Sequence, residues 1–358
     1  MKYRKATLLN AESINTAGTK TLDLDFKSVM SRLQIKVNAT NSSADPTAVH
    51  AKQVSKVQIV DGSKVLLELS GQQIEAKGFY DKAALPSYER EFRNGVENYL
   101  TLSILFGRRL WDSDLGFDPK QFSNPQLKIT HNKALGGSLP TSGSLSVFAD
   151  LFDEKVVTPR GFIRSTQHHS FTSASSSAYD YINLPKDMII KRIMLQTYKA
   201  DSWWENLVAN IKIDEDSGGK VPIDLTGQQL VSLVHGNYGP FEELLVGQCS
   251  GIPAVTFYVT PTDSCYMMFS PILANASSYV GTDLERTGGY QTIINDDSRA
   301  WRAIVKGFLP HGCLPIDLGD PDDMDDWYDV TQKGKVQLIP YASGEVAFNT
   351  ILEQLQKY

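Results

Sequence analysis

The stretch Lys64–Ile74 reads KVLLELSGQQI, and Lys220–Leu230 repeats it 156 positions later as KVPIDLTGQQL. Repeats of about 20 to 50 residues indicate arrays of small units, whereas a separation of roughly 100 to 150 residues is the size of a whole domain. The chain has 358 residues, which leaves room for two domains that each bury a core. The repeat therefore predicts a fused duplicate.

The blocks around this repeat occur in the same order in both halves of the chain. They are Val29–Ile35 with Ile189–Leu195, Val57–Ile59 with Ile211–Ile213, and Asp114–Pro119 with Asp317–Pro321. One matching block could arise by chance, but an ordered series indicates a common scaffold. Asp118 and Asp320 each precede a proline, which predicts a short helix with the aspartate as N-cap.

Alternating apolar and polar residues predict strands in each copy. Arg32–Val37 has the period of two that places one face of a strand in a core. Asp61-Gly62 favours the tight turn of a hairpin. Tyr99–Leu105 predicts a further strand, with Trp301–Val305 as its looser counterpart. With about eight short strands per copy and few helices, the predicted fold class is all-β: two tandem eight-stranded jelly rolls, a double jelly roll, with short helices in loops.

The two copies differ in the length of one connection. From Gln73 to Tyr99 the first copy uses 26 residues, whereas from Gln229 to Trp301 the second uses 72, which predicts an inserted surface loop. The predicted organisation is an amino-terminal arm at 1–17, jelly roll 1 at 18–153, a connector and serine-rich loop at 154–178, and jelly roll 2 at 179–358 with the inserted loop at about 231–300.

The composition argues against several classes of protein. A formal net charge of −6 and a pI of about 5.6 disfavour direct binding to nucleic acid, which needs clustered lysine and arginine. Three cysteines without Cys-x-x-Cys spacing signal neither a disulfide framework nor a zinc site. The amino terminus lacks the apolar segment of a signal peptide, and no apolar run approaches the ~20 residues of a membrane span, so synthesis in the cytoplasm is expected.

Several of these segments together resemble a known protein family. A Val-Gln-Ile-Val-Asp-Gly hairpin at 57–62, the Leu-Ser-Gly-Gln-Gln segment at 69–73, a Leu-Phe-Gly-Arg strand end at 105–108 and the oversized loop of one copy are similar to double jelly-roll major capsid proteins. That family belongs to icosahedral viruses, including bacteriophages of the tectivirus, corticovirus and finnlakevirus kinds. The resemblance covers about residues 18–356 and contains no catalytic signature.

The resemblance implies a structural protein of the virion and not an enzyme. It implies a homotrimer of pseudo-hexagonal outline that contacts neighbouring capsomers and penton or minor capsid proteins, after synthesis in the host cytoplasm. In several such viruses an amino-terminal segment lies against an internal membrane, which makes Lys2, Arg4 and Lys5 candidates for contact with anionic lipid. The alternative is a free basic terminus without a binding role.

The densest cluster of candidate ligands is the acidic run Asp317–Asp329. Calcium takes six to eight oxygen ligands, so carboxylates at this density could hold a structural Ca²⁺. The EF-hand spacing is absent, and acidic residues also suit the first turn of a helix, so a capped and solvated helix start is the competing interpretation. No other cofactor is predicted. The candidate ligands are Asp320, Asp322, Asp323, Asp325 and Asp326.

No catalytic residue is assigned, because the chain has no Gly-x-Ser-x-Gly elbow, phosphate loop or dinucleotide-binding glycine pattern. A second hypothesis is a carbohydrate-binding or carbohydrate-cleaving double β-sandwich, such as a phage receptor-binding subunit or a glycanase-like enzyme. Trp203-Trp204 could stack against a sugar, but aromatic side chains also fill cores and subunit interfaces. An open cleft lined by tryptophan and paired carboxylates would favour this hypothesis.

Overall fold

A computed structural model describes residues 1–81, 89–173, 178–199, 202–248, 255–270, 280–281, 289–294 and 300–358. Strands dominate these ranges. Within them, no helix is long and apolar enough to cross a bilayer.

The strands of the first copy follow in chain order: β1 (Tyr3–Ser13), β2 (Gly18–Asp23), β3 (Met30–Thr40), β4 (Val54–Asp61), β5 (Lys64–Leu69), β6 (Glu89–Glu91), β7 (Glu97–Leu105), β8 (Pro125–His131) and β9 (Ser142–Phe152). Those of the second copy are β10 (Gly161–Thr172), β11 (Ala178–Tyr179), β12 (Ile182–Asn183), β13 (Ile190–Thr197), β14 (Val208–Glu215), β15 (Lys220–Thr226), β16 (Phe241–Gln248), β17 (Val255–Tyr258), β18 (Pro261–Ser270), β19 (Val280–Gly281), β20 (Tyr290–Ile294), β21 (Ala300–Pro310), β22 (Cys313–Asp317), β23 (Val336–Ala342) and β24 (Ala347–Lys357). The α-helices are α1 (Gly71–Tyr80), α2 (Trp204–Leu207) and α3 (Gly227–Asn237), and 3₁₀ turns lie at His50–Gln53, Pro119–Gln121 and Lys133–Leu135.

Each copy contains two principal sheets, and the order of strands is the same in both copies. The sheets of the first copy run β1-β9-β3-β7 and β2-β8-β4-β5. Those of the second run β10-β24-β13-β22 and β11-β23-β14-β15, with β12 also paired to β23. Alternate apolar side chains from these strands fill one core that extends through both copies. The predicted fold class, two tandem jelly rolls, is confirmed.

The repeat extends to irregularities in strand pairing. The register of β1 on β9 shifts between Thr7 and Leu9, and that of β10 on β24 shifts between Gln167 and His169, 160 positions later. The registers of β3 and β13 also shift at equivalent positions, immediately before Arg32 and Arg192. A bulge adds one residue to a strand and redirects the residues after it. The two copies therefore share a detailed backbone plan and not only a pattern of hydrophobicity.

In each copy the repeated KVLLELSGQQI stretch forms the last strand that the copy contributes to one of its sheets, and then the start of a helix. Both helices begin with a capping box, in which the cap hydroxyl accepts the N–H of a glutamine three residues on and that glutamine accepts the N–H of the cap. Ser70 and Gln73 form it for α1, with distances of 3.2 and 2.9 Å. Thr226 and Gln229 form it for α3 with the same distances.

A glycine follows each cap because the helix start presses against neighbouring backbone. A Cβ at Gly71 would lie 2.3 Å from the carbonyl oxygen of Ala51, and a Cβ at Gly227 would lie 2.0 Å from that of Val208. No side chain fits at such distances. The Gly-Gln-Gln part of the repeat therefore fixes the start of a helix against the neighbouring backbone.

One continuous sheet joins the two copies. Strand β5 pairs in parallel with β10, with Glu68 opposite Thr166, so that an eight-stranded sheet runs β2-β8-β4-β5-β10-β24-β13-β22. When the two copies are compared, β15 of the second copy is equivalent to β5 of the first, and β1 of the first copy is equivalent to β10 of the second. Both β15 and β1 are the last strands of their own sheets.

The segment between α3 and β22 forms sheets of its own, and we call it the inserted unit. Strands β18, β21 and β16 form one sheet with β6 of the first copy at its edge, and β17, β20 and β19 form another. A separate small core includes Phe257 and Trp301 together with Phe92 of the first copy. Residues 249–254, 271–279, 282–288 and 295–299 of this segment lie outside the described residues.

Two segments that the sequence predicts to be irregular are strands. The predicted arm at residues 1–17 contains β1, since Tyr3–Ser13 pairs with β9. The connector and serine-rich loop predicted at 154–178 contain β10, which pairs with β24, while residues 174–177 lie outside the described ranges. Both strands are rich in polar residues, which hides the alternation that marks a half-buried strand.

The counterpart of Tyr99–Leu105 is β22 and not Trp301–Val305. Leu105 pairs with Arg32 of β3, and Asp317 pairs with Arg192 of β13, which is the equivalent position of the second copy. The insertion therefore runs from 238 to 312 and not over about 231–300, because 231–237 complete α3 and 300–310 belong to β21.

Candidate functional site at the junction of the two jelly rolls

Helix α1 forms a large part of the contact between the two jelly rolls. Eight of its ten residues are buried. Near its start, Gln73 Nε2 donates to Gln167 Oε1 at 2.8 Å and to Gln196 Oε1 at 3.0 Å. At its end, the Tyr80 hydroxyl donates to the carbonyl of Cys313 at 2.7 Å. A helix of the first copy is thus held on strands β10, β13 and β22 of the second.

Arg192 is the centre of a buried ion network at the end of α1. Its side chain is 1% exposed, and its Nε lies 2.7 Å from Asp317 Oδ1. Its Nη1 lies 3.0 Å from Asp81 Oδ1 and 3.4 Å from Glu353 Oε1. Lys191 Nζ is 3.4 Å from Asp81 Oδ1 and 3.6 Å from Glu353 Oε2. Asp81 comes from the first copy and the other residues from the second, so the network crosses the junction.

The charges of this network balance. Lys77 of α1 also binds Asp81, so three cations face three anions: Lys77, Lys191, Arg192, Asp81, Asp317 and Glu353. Burial opposes ionisation of Asp81, but the three cations outweigh it and hold the pKa of this carboxyl well below its usual range. Removing one partner of a buried pair strands a charge and costs about 3–5 kcal/mol. The network therefore locks the two jelly rolls in one arrangement.

A second network joins α1 to the inserted unit. Arg90 of β6 donates from Nε to Glu243 Oε2 of β16 at 2.8 Å and from Nη2 to Glu75 Oε1 of α1. The other oxygen of Glu75 lies 2.8 Å from His311 Nε2. Burial alone would raise the pKa of Glu75, but Arg90 and His311 lower it to about 2. The same helix thus holds both the second jelly roll and the inserted unit.

A cleft of about 480 Å³ opens beside the Arg192 network. Several of its side chains are bound to one another or to neighbours: Arg108 binds Asp112 at 2.8 Å, and the Tyr238 hydroxyl donates to Asp317 at 2.5 Å. The contacts that line the cleft include the ion pair of Arg192 with Asp81, which joins the two jelly rolls.

The thiols near these networks are not reactive groups. Cys265 and Cys313 are both buried and free of disulfides. Burial raises the pKa of Cys265 to about 12 and that of Cys313 further, which keeps both protonated, whereas a thiolate is the nucleophilic form.

The acidic run considered as a metal site forms a series of turns whose N–H groups bind its own carboxylates. Asp320 Oδ1 accepts from the N–H of Asp322 at 2.9 Å, Asp323 Oδ1 from Asp325 at 3.0 Å, and Asp326 Oδ2 from Asp320 at 2.7 Å. Among the residues that the structure describes, no three acidic, histidine or cysteine side chains converge as metal ligands do. Calcium binding stays a prediction.

The predicted helix after the Asp-Pro pair forms in one copy only. Asp118 caps the 3₁₀ turn Pro119–Gln121, whereas the chain after Asp320 continues in turns. The bridge that Phe117 makes to β3 is made to β13 by Tyr328, so the second copy reaches the equivalent position later along its sequence. The two Asp-Pro pairs are similar in sequence but not equivalent in structure.

Of the basic amino-terminal residues, Arg4 and Lys5 lie on β1 and Lys2 immediately precedes it. Arg4 Nε binds Asp153 Oδ1 at 3.1 Å, and Lys5 Nζ binds Asp150 Oδ1 at 3.0 Å. The carbonyl of Lys2 accepts the N–H of Asp153 at 3.0 Å. Contact of Lys2, Arg4 and Lys5 with a membrane stays a prediction.

Trp204 is a core residue. It is 2% exposed, and its Nε1 donates to the carbonyl of Gly312 at 3.2 Å. A platform for stacking a sugar needs an exposed ring face. This tryptophan therefore gives no support to the carbohydrate hypothesis.

Sequence patterns do not predict the junction, although one signal for it stands in the sequence. Lys191-Arg192 interrupts the otherwise apolar run Ile189–Leu195. Lysine and arginine are almost never fully buried unless they are paired, so a charged pair inside an apolar strand indicates buried partners elsewhere. What the sequence does not reveal is that one of those partners, Asp81, lies in the other copy.

Comparison with known proteins shows likeness in structure but not in sequence. No protein-family model and no curated protein matches the sequence. The chain is similar in structure to the major capsid protein of Sulfolobus turreted icosahedral virus, with 11% identity, a TM-score of 0.61 and coverage of 100% of this chain and 98% of that one. It is also similar to the major capsid protein P2 of bacteriophage PM2, with 13% identity, a TM-score of 0.55 and coverage of 99% and 98%.

A third similar structure is a quasi-atomic model of the PBCV-1 virus capsid, with 9% identity, a TM-score of 0.59 and coverage of 98% of this chain and 92% of that one. In all three comparisons the likeness spans both jelly rolls and the junction between them. The chain therefore has the double jelly-roll fold of viral major capsid proteins.

Proposed function

We propose that this chain is the major capsid protein of an icosahedral virus and assembles as a homotrimer of pseudo-hexagonal outline. The observation that supports this most strongly is the likeness over nearly the whole chain to three viral capsid structures. The three likenesses cover 98–100% of this chain and 92–98% of those chains, so they include both jelly rolls. A role in the shell uses the fold as a building block and needs no catalytic centre.

The junction suits such a role because it makes two similar units behave as one. Three chains of two jelly rolls present six similar sectors to their neighbours, so one kind of subunit can pack with hexagonal geometry. That packing requires the angle between the two jelly rolls to be constant. Balanced buried charges and a shared sheet across the junction hold that angle.

The finer assignments follow from the same proposal. The partners are other copies in the trimer, neighbouring capsomers, penton or minor capsid proteins, and an internal membrane where the virus has one. The location is the virion, after synthesis in the host cytoplasm. The likeness to the capsid protein of bacteriophage PM2 supports a bacteriophage, and the tectivirus, corticovirus or finnlakevirus kinds are proposed from the sequence resemblance.

The proposal is tested by the mass of the purified protein in solution. Size-exclusion chromatography with multi-angle light scattering should give three times the 39.7 kDa mass of the chain. A monomer that persists at high concentration would count against a shell subunit. Binding to a glycan array, or hydrolysis of a glycan, would favour the carbohydrate hypothesis instead.

A further inference from the structure

The two equivalent strands β5 and β15 differ sharply in how well they are covered. In β5, Leu67 and Leu69 are each 1% exposed, because β10 lies beside that strand. Their equivalents in β15, Ile223 and Leu225, are partly exposed, and the neighbouring Val221 is 40% exposed. Apolar residues that are buried in one copy and uncovered in the other mark a surface that lacks a partner.

The equivalent helices show the same difference. Eight of ten residues are buried in α1, but only Gly227, Leu230, Val231 and Val234 are buried in α3. Leu233 takes the place that Lys77 has in α1, and the two side chains differ from 51% to 1% exposed. What covers α1 is the second jelly roll of the same chain together with the inserted unit. Within the described part of the chain, nothing occupies the corresponding place over α3.

The complementary surface is on the first copy. Strand β10 receives the first copy along one edge: Thr166 lies opposite Glu68 of β5, and Phe162 and Ile163, each 1% exposed, lie against Phe106 and Leu115. Strand β1 has the same place in its own sheet, and its edge away from β9 is the end of that sheet. Its equivalent residues, Lys2 and Tyr3, are exposed and partly exposed. Each chain therefore has two unpaired sheet edges, one on β15 and one on β1. They are equivalent to the two edges, of β5 and β10, that meet at the internal junction.

We propose that β15 of one chain pairs in parallel with β1 of a second copy, so that the internal junction is repeated between chains. The inference rests on the proposed function, since it names the surface by which the trimer closes. An interface that joins one surface to a different one on the next copy forms a ring when the rotation closes. Three chains joined in this way alternate internal and external junctions around the ring.

The internal register predicts the register between chains. Glu68 lies opposite Thr166 inside the chain. Strand β15 follows β5 by 156 positions and β10 follows β1 by 160, as the capping boxes and the paired bulges require. The same pairing between two copies therefore places Asp224 of one opposite Ala6 of the other.

Helix α3 would then cover the first copy of the neighbour as α1 covers the second copy of its own chain. Gln73 donates to Gln167 and Gln196, whose equivalents are Thr7 and Lys36. Gln229 keeps the same capping box through its Oε1, which directs its Nε2 outward from the helix start as in Gln73. The equivalent contact between chains is Gln229 with Thr7 and Lys36 of the neighbour.

The test is a pair of cysteines at the predicted register, Ala6→Cys with Asp224→Cys in one full-length chain. Neighbouring strands bring paired Cα atoms within the ~4.4–6.8 Å that a disulfide spans. Mild oxidation should give bands of two and three chains on a non-reducing gel, and reductant should return them to one. The matched control combines Ala6→Cys with Lys220→Cys, four residues and about 13 Å along the same strand.

The register pair should cross-link faster than the displaced control by at least ~10-fold, and wild type should not cross-link. Light scattering of each sample before oxidation separates the two claims. A trimer that cross-links equally in both variants, or in neither, overturns the edge pairing but leaves the capsid proposal standing. A monomer overturns both.

Discussion

Arg192 shows how much a single side chain contributes to the junction. It contacts Asp81 of the first copy and both Asp317 and Glu353 of the second. Its equivalent in the first copy is Arg32, which binds Asp150 at 2.7 Å with a side chain that is 15% exposed. The two arginines occupy equivalent positions, but Arg32 forms an ion pair within its own jelly roll, whereas Arg192 forms ion pairs that connect the two jelly rolls.

Replacing Arg192 should therefore cost far more than replacing Arg32. Arg192→Met leaves three acidic side chains with fewer cations in a buried site, and we expect a loss of about 3–5 kcal/mol in the free energy of unfolding. Arg32→Met is the matched control, because Lys5 still binds Asp150 in that variant. Urea unfolding followed by fluorescence measures both. Equal losses would show that the junction does not depend on the buried network.

A second prediction at this scale concerns pH. Burial, with Arg90 nearby, lowers the pKa of His50 from 6.5 to about 3, so the imidazole is neutral in the fold and gains a proton only on unfolding. A depressed pKa contributes stability above pH 6.5 that is lost as the pH falls toward 3. The unfolding free energy should drop by about 1.4 kcal/mol per pH unit across this window from His50 alone.

The measurement is urea unfolding of wild type and His50→Gln at intervals from pH 8 to pH 5. The variant should lose stability less steeply below pH 6.5 than wild type, whatever its stability at pH 8. Parallel curves for the two proteins would mean that His50 is not the group that takes up the proton.

At the scale of elements, the repeated capping boxes define where each helix starts and what it touches. The paired Gly71 and Gly227 let the helix starts approach the start of an equivalent strand, β4 at Val54 in the first copy and β14 at Val208 in the second. Helices α1 and α3 therefore start at equivalent positions of their jelly rolls and run in the same direction from them. Because the two helices have the same orientation on their jelly rolls, their different burial results from what packs against them and not from the helices themselves.

Gly227→Ala should destabilise the second jelly roll. Its Cβ would meet the carbonyl of Val208 at 2.0 Å, and overpacking of this kind costs about 1–3 kcal/mol. Gly236→Ala in the same helix is the control, since no atom lies within 4 Å of its Cβ position and alanine is the better helix former. The melting temperature should fall in the first variant and rise or hold in the second. A fall of equal size in both would contradict this account of the helix start.

Sequence patterns reveal the elements with strong local signals and miss those that depend on distant contacts. The KVLLELSGQQI repeat predicts the duplication because backbone contacts require its glycine and its cap in both copies. The patterns miss strands β1 and β10 because their polar residues hide the alternation, although each is held by a long ladder to the last strand of its jelly roll. They match Trp301 to the wrong strand because its apolar neighbours serve the core of the inserted unit.

The acidic run illustrates the same limit at a candidate site. Its composition predicts either ligands or caps, and only the fold shows that Asp320, Asp323 and Asp326 accept bonds from nearby backbone N–H groups. The junction is harder still to predict, because Asp81 and Arg192 are 111 residues apart along the chain. No local pattern couples residues at that distance.

At the scale of the molecule, the chain is an unequal duplicate with one closed junction and two matching open edges. The inserted unit adds to the inequality, since it belongs to the second copy but is anchored to α1 and β6 of the first through Glu75 and Arg90. Its presence on one jelly roll only would give each trimer three such units on six sectors.

Assembly should depend on the exposed face of α3. Leu233→Glu places a charge at the centre of the proposed interface, and we expect the trimer to dissociate while the melting temperature of the monomer is unchanged, because Leu233 is 51% exposed. Met268→Glu is the control, since that side chain is 48% exposed on the inserted unit. Light scattering across a concentration series reports the mass. A trimer in both variants would exclude α3 from the interface.

The most direct test of the central claim is negative-stain electron microscopy of the purified protein. A double jelly roll that serves as a shell subunit should appear as uniform particles of hexagonal outline with a threefold axis, and at high concentration these should pack edge to edge. Single-chain particles, or rings of any other symmetry, would contradict the proposal that this fold is used here to build an icosahedral capsid.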